Sequence, residues 1–309
     1  MQLQITETSR DTVIGSALVL AAAVTVSSKA VMVKLAYAYG VDAESLIALR
    51  MAFAMPFFIA LAIWARRREV QRRIGPKDAL VMVALGVLGG YAPMWFDFAG
   101  LAYVSAGLER VILFLYPTMV VLISALLFGQ RIGRHEIFAL VASYAGVALA
   151  VGHDLTVLKS GAAETMLGAI LIMISALTYA GYLVCSGRII PRVGTANFTA
   201  YSMLVAGIAS AVHFAVMPHA VAITQLPVPV YHIALLMAVV ATVLPAVMLN
   251  AGIRRLGSSQ ASLLSSVGPV STISLAYVFL GEEVTVMQLA GTGLVVAGVI
   301  VITFKTRSA

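Results

Sequence analysis

The chain has 309 residues, of which 61% are hydrophobic and 11% charged, and its mean hydropathy is +1.01. Soluble domains carry about 25% charged residues, so a water-soluble fold is excluded and an integral membrane protein is implied. Its net charge of +7 sits mostly between the apolar runs, which argues against nucleic acid as a partner, and the single cysteine, Cys185, excludes a disulfide framework or a cysteine-based metal site.

A bilayer-spanning helix needs about 20 apolar residues. Ten such segments follow one another, near 13–38, 43–64, 79–101, 105–127, 134–152, 165–186, 195–217, 230–252, 257–280 and 285–303. Runs such as MVVLISALLF and LVVAGVIVIT are helical in character rather than the alternating strands of a barrel. The opening MQLQITETSRDT, residues 1–12, lacks the basic n-region of a signal peptide and reads as a cytoplasmic N-terminal segment, with 304–309 as a cytoplasmic tail.

The charges inside the spans all fall in the first half of the chain. The first helix carries Lys29 and Lys34, the second Arg50, the third Asp97, and the fourth Glu109 and Arg110. Between spans, one side gathers Arg10, Arg66, Arg67, Arg68, Arg72, Arg73, Lys77, Arg131, Arg134, Arg188, Arg192, Arg254, Arg255, Lys305 and Arg307, against Lys159 on the other. By the positive-inside rule both termini are cytoplasmic. With about 1.5 Å of rise per residue, Arg50 is then roughly 10 Å deep from the outer surface, Lys29 about 13 Å, and Asp97, Glu109 and Arg110 about 6–8 Å. Charges within lipid cost about 2.5–3.5 kcal/mol each on insertion scales, so a paired cluster is the economical arrangement. Ion pairs among Asp97, Glu109, Arg50 and Arg110, closing or shaping an outer gate, are one reading. The plainer one has Glu109 at a helix N-terminus with Lys34 and Arg110 snorkelling outward.

Sliding the sequence along itself by 152 residues aligns 99–132 with 251–284 without a gap. Pro93 falls on Pro245, Gly100 on Gly252, Pro117 on Pro269, Gly129 on Gly281 and Gly146 on Gly298. The first helices align at 153, through Gly15 with Gly168. Five helices are an odd number, so the second copy crosses the membrane in the opposite sense, the inverted repeat of many secondary transporters. The expected fold is therefore an all-α integral membrane protein, ten transmembrane helices as two inverted-topology five-helix repeats over 13–152 and 165–303.

SSKAVMVKLAYAYGVDAESLIALRMAF, the Pro117 segment with LLFGQRIGRHEIFALVASYAGVALA, and VFLGEEVTVMQLAGTGLVVAGVIVI together resemble EamA-type members of the drug/metabolite transporter superfamily. The likeness extends over 13–303. It implies a carrier of small metabolites in the cytoplasmic (inner) membrane, often an exporter of amino acids or related compounds, with helices 1, 3, 4, 6, 8 and 9 around a central cavity. The acid usual after the helix 4 glycine is Gln130 here, whereas its counterpart Glu282 is kept. Small multidrug carriers of the same superfamily use a glutamate in helix 1; the lysines here disfavour a pump for lipophilic cations.

Further candidates for substrate binding or gating are Tyr91 and Trp95, Tyr116, Tyr179 and Tyr182, Ser262 and Ser266, and the prolines Pro117 and Pro269, which can kink their helices. Aromatic residues also anchor helices at interfaces and small hydroxyl residues also pack helices. No His-Glu-x-x-His motif is present, so an enzyme is not expected; a passive facilitator of the same fold is the closer alternative to a carrier, and an intramembrane enzyme or scaffold a weaker one. The implied partners are a small-molecule substrate and the lipid bilayer, with a homodimer left open, and neither cofactor nor metal is called for.

Overall fold

The structure, a computed structural model, describes residues 2–68, 75–129, 132–157, 161–218, 221–256 and 258–305. Gln130, the side chain of Ser262, much of the basic 65–77 loop and the tail from 306 lie outside the described residues. The described chain is all helix and irregular connection. Its ten helices are α1 (Gln2–Tyr37), α2 (Ala43–Arg68), α3 (Pro76–Leu101), α4 (Ala106–Phe128), α5 (Arg134–Val157), α6 (Ala162–Val193), α7 (Thr195–Val216), α8 (228–256), α9 (258–280) and α10 (Val286–Lys305). Eight are long and apolar enough to cross a membrane outright, and the apolar pieces Gly268–Leu280 and Val286–Val301 complete the ten expected spans.

Two helices are longer than the hydropathy suggests. Helix α1 begins at Gln2, so the N-terminal segment is already helical. Helix α6 runs on to Val193 because its last turns have packing to gain, with Ile189 and Val193 buried against Met82 and Leu85 of α3 and Phe198 of α7.

The irregularities repeat at the same spacing as the sequence. Helix α3 passes through a π-helical stretch at Gly86–Tyr91 and α8 through one at Val239–Val243, each just before a proline of the aligned pair Pro93 and Pro245. Proline has no N–H for the carbonyl four residues back, and a π-turn is one way for a membrane helix to absorb that loss. Helix α4 breaks at Phe114 and Leu115, and α9 at Ser266 and Val267, so the two breaks are 152 residues apart and stand directly before Tyr116-Pro117 and Gly268-Pro269. Both helices then end on a glycine in the left-handed region, Gly129 at φ 63° and Gly281 at φ 65°, a conformation that side chains with a Cβ avoid.

The halves exchange contacts in matching pairs. Helix α1 packs on α8 where Gly15 meets Gly252, and α6 packs on α3 where Gly168 meets Gly100. A Cβ on Gly100 would stand 2.9 Å from the Gly168 carbonyl oxygen, and one on Gly252 3.1 Å from that of Gly15. Helices α5 and α10 lie along one another at the rim, with Gly146 against Gly291 and Gly298 against Ala139. Without a hydrophobic drive between helices in lipid, such close backbone approach is what brings dispersion contacts to bear.

Candidate functional site

Five of the six predicted membrane charges converge around α1, α3 and α4, with Arg50 approaching from α2. Lys29 of α1 is the hub. Its ammonium donates to Asp97 Oδ2 and, at 3.2 Å, to Glu109 Oε1. The lysine side chain is 15% exposed, the aspartate 4% and the glutamate 0%. Two buried carboxylates thus share one cation, and each keeps an unsatisfied oxygen, Asp97 Oδ1 and Glu109 Oε2.

This arrangement corrects the expected pairing of the two acids with Arg50 and Arg110. Neither arginine forms an ion pair with them among the described residues. Glu109 and Arg110 are successive residues of a helix, which point about 100° apart and do not face each other. Arg50 is held elsewhere. Its Nε and Nη2 donate to Thr242 Oγ1 at 3.1 and 2.9 Å, and Nη1 reaches Met94 Sδ at 3.3 Å. The guanidinium also lies over the Phe98 ring, 5.6 Å from its centre. Thr242, in the π stretch of α8, can accept both bonds because it donates its own proton to the Met237 carbonyl just ahead of that stretch.

Arg110 does not snorkel. Its guanidinium lies against the break in α9, where a Cβ on Gly268 would stand 2.5 Å from Nη2 and 3.6 Å from Nε, and its buried Nε has no hydrogen-bond partner. Pro117 and Pro269 each sit at the second position of the helical piece after a break, as kink-forming prolines should. Helix α1 is stitched to the α9 break by hydroxyls, Ser27 donating to the Gly268 carbonyl at 3.0 Å and Thr272 to that of Ser27 at 3.4 Å. Ser266 is buried at the same break. Lys34 is half-buried near the end of α1.

The aromatic candidates divide into two groups. Tyr116 and Tyr179 meet edge to face with centres 5.3 Å apart, and Tyr179, Tyr182 and Phe198 continue as a stack. Tyr91 and Trp95 belong to a separate cluster: Tyr91 hydrogen-bonds His213 of α7, while Trp95 lies edge-on to His213 and donates to Glu44 of α2 at 2.8 Å. Thr242 and Glu44 escaped the reading of the sequence, in which His213 counted only as a histidine near the end of its span. Thr242 is a lone hydroxyl in AVVATVLP, ahead of the repeated proline, which is the one local signal that could have marked it.

Glu282 gains a role. From the turn after α9 its carboxylate accepts the backbone N–H groups of Ala106 at 2.9 Å and Gly107 at 3.3 Å, while Ser105 caps Leu108 N at 3.0 Å. A carboxylate on the free N–H groups of a helix start offsets the positive end of its dipole. The second half thereby clamps the first. We expect Glu282→Ala to cost about 0.5–2 kcal/mol, the range for a lost helix cap, read as a lower melting temperature in detergent, with Glu282→Gln in between.

Ten apolar helices in two matching halves around a buried charged cluster define a polytopic membrane protein of the transporter class. The chain belongs to the EamA-like transporter family, which matches residues 13–152 and again 166–304. It is 31% identical over 288 residues to the "uncharacterized transporter YcbK" of Bacillus subtilis, covering 92% of this chain and 91% of that one. Similarity to the "uncharacterized transporter" of Archaeoglobus fulgidus is 23% identity, over 84% and 88% of the two chains. A crystal structure at 20% identity superposes with a TM-score of 0.60 over 97% of this chain and 98% of the other, which bears on the fold alone.

Proposed function

We propose that this membrane transporter is a secondary carrier that exports a small metabolite, an amino acid or a related zwitterion or anion, across the inner membrane by alternating access, with both termini cytoplasmic. The observation that carries this reading is the pair of equivalent breaks in α4 and α9: the first piece of α4 packs on the second piece of α9 beside the charged cluster, and Arg110, one turn before the α4 break, lies against the α9 break. Broken helices at a repeat interface free backbone groups for a substrate and supply hinges. Five helices per half invert the second half, so each break has a counterpart facing the other way.

In this reading the conformer is shut toward the outside. The C-terminal end of α1, the start of α2 and the ends of α3 and α8 that meet them share one buried core, including Ala36, Leu46, Leu101 and Val230. Lys29 with its two acids lies beneath it. Opening outward requires breaking the Lys29 pairs and the Glu282 clamp, and a substrate drives that change only as far as it binds the other state better.

Counterflow in proteoliposomes tests the proposal. Labelled amino acids from a mixed pool are expected to accumulate against an unlabelled internal pool and to saturate. Flux that rises linearly with concentration, without exchange, would assign a passive facilitator instead.

A further inference from the structure

Among the three deep cations, the geometry points to Arg110, whose guanidinium lies against Gly268 at the break of α9, as the residue that receives a carboxylate group of the substrate. This assignment rests on the carrier reading above and deepens it.

Donor accounting separates the three. Lys29 has committed two of its three N–H groups to Asp97 and Glu109. Arg50 has engaged Nε, Nη1 and Nη2 with Thr242 and Met94 and stacked its face on Phe98. The Arg110 side chain makes no hydrogen bond or ion pair among the described residues, and its Nε is buried and unsatisfied. A buried guanidinium N–H without an acceptor costs several times an ordinary hydrogen bond, so the position is one where a ligand has most to contribute.

The surroundings make room for the guanidinium at the break. Gly268 occupies the repeat position of Tyr116, so one half places a large ring beside the break and the other leaves the Cβ off where the guanidinium lies. Tyr116, six residues on from Arg110 and just past the α4 break, meets Tyr179 edge to face. Lys29, Arg50 and Arg110 stand against Asp97 and Glu109, one positive charge in excess within the cluster, while Lys34, Asp42 and Glu44 lie nearer the helix ends. A single excess charge beside a planar fork of donors suits a carboxylate, which such a fork binds through two oxygens. A phosphate dianion would need a second free cation.

The experiment uses the full chain in nanodiscs and a panel of twenty amino acids and simple monocarboxylates, each beside its uncharged amide, with inorganic phosphate as a further probe. Thermal stabilisation and, for any acid that stabilises, titration give the affinities. At least one acid is expected to bind and its amide not, with Arg110→Gln weakening the acid about 10- to 100-fold, the worth of hydrogen bonds to a charged group. Gly268→Ala keeps the arginine and the fold, since only the mobile end of a side chain must shift. It is expected to weaken the acid in the same direction. Arg192→Gln, at the exposed pair with Asp78, should retain the preference for acid over amide. The assignment is overturned if acid and amide bind alike, if phosphate competes equally with the acid, if no acid binds, or if Arg110→Gln and Gly268→Ala both bind as the parent does. Counterflow with the bound acid separates this from the carrier reading. An acid that binds through Arg110 but does not exchange removes the carrier and leaves the site; one that exchanges independently of Arg110 does the reverse.

Discussion

Replacing Lys29 with methionine is expected to destabilise the protein by about 3–5 kcal/mol, the cost of leaving a buried charge without its partner. Here two acids lose the same partner, Asp97 and Glu109, both within the apolar core and each already short of one hydrogen bond. Neutralising the whole group at once, with Lys29→Met, Asp97→Asn and Glu109→Gln, should recover most of the loss, because exchanging a complete buried ion group for neutral side chains is often neutral or stabilising. Melting followed by size-exclusion recovery in detergent reads both variants. A single Lys29→Met protein as stable as the parent would deny the lysine its place as counter-ion. Stability and transport should also part company in the triple variant, which keeps the packing but loses the charges on which the proposed gate depends.

The second large effect concerns a pair of glycines two residues apart on α10. Gly291→Ala puts a Cβ 2.5 Å from the Gly146 carbonyl oxygen, a backbone atom that cannot move without separating α5 from α10. Overpacking of this kind costs about 1–3 kcal/mol, against at most about 1 kcal/mol gained from the better helix propensity of alanine. Gly146→Ala should behave the same way, since it meets the Gly291 carbonyl at 2.5 Å. Gly293→Ala meets nothing within 4 Å and is expected to be neutral or stabilising by up to about 1 kcal/mol. Opposite signs for Gly291 and Gly293 in one thermal-melt series would establish the α5–α10 contact. Equal signs would refute it.

Much of the architecture was legible because the bilayer imposes local requirements. Every span must satisfy its own backbone and present apolar side chains, so ten apolar runs announce ten helices, and the breaks in α4 and α9 were announced by Pro117 and Pro269. The π stretches were less visible. They follow from Pro93 and Pro245, but nothing in Gly86–Tyr91 or Val239–Val243 says whether a helix will bend, break or widen to absorb a missing donor. Arg50 and Lys29 stood out as the deepest cations, and what removed the freedom of Arg50 was Thr242, 192 residues further along the chain.

The amino-acid sequence by itself thus determined the membrane class, the ten spans, the division into two related halves and the confinement of the deep charges to the first of them. Each is a property of contiguous residues or of one segment compared with another. Only the tertiary structure decided that Lys29 and neither arginine pairs with the acids, that Glu282 caps α4, and that Arg110 lies against Gly268. Those outcomes depend on which faces of helices remote in sequence come within hydrogen-bonding distance, and hydrogen bonds fall off within a fraction of an ångström to about one ångström. Glycines such as Gly15, Gly100 and Gly168 set how closely the helices approach, and through that spacing they select the partners of the charges.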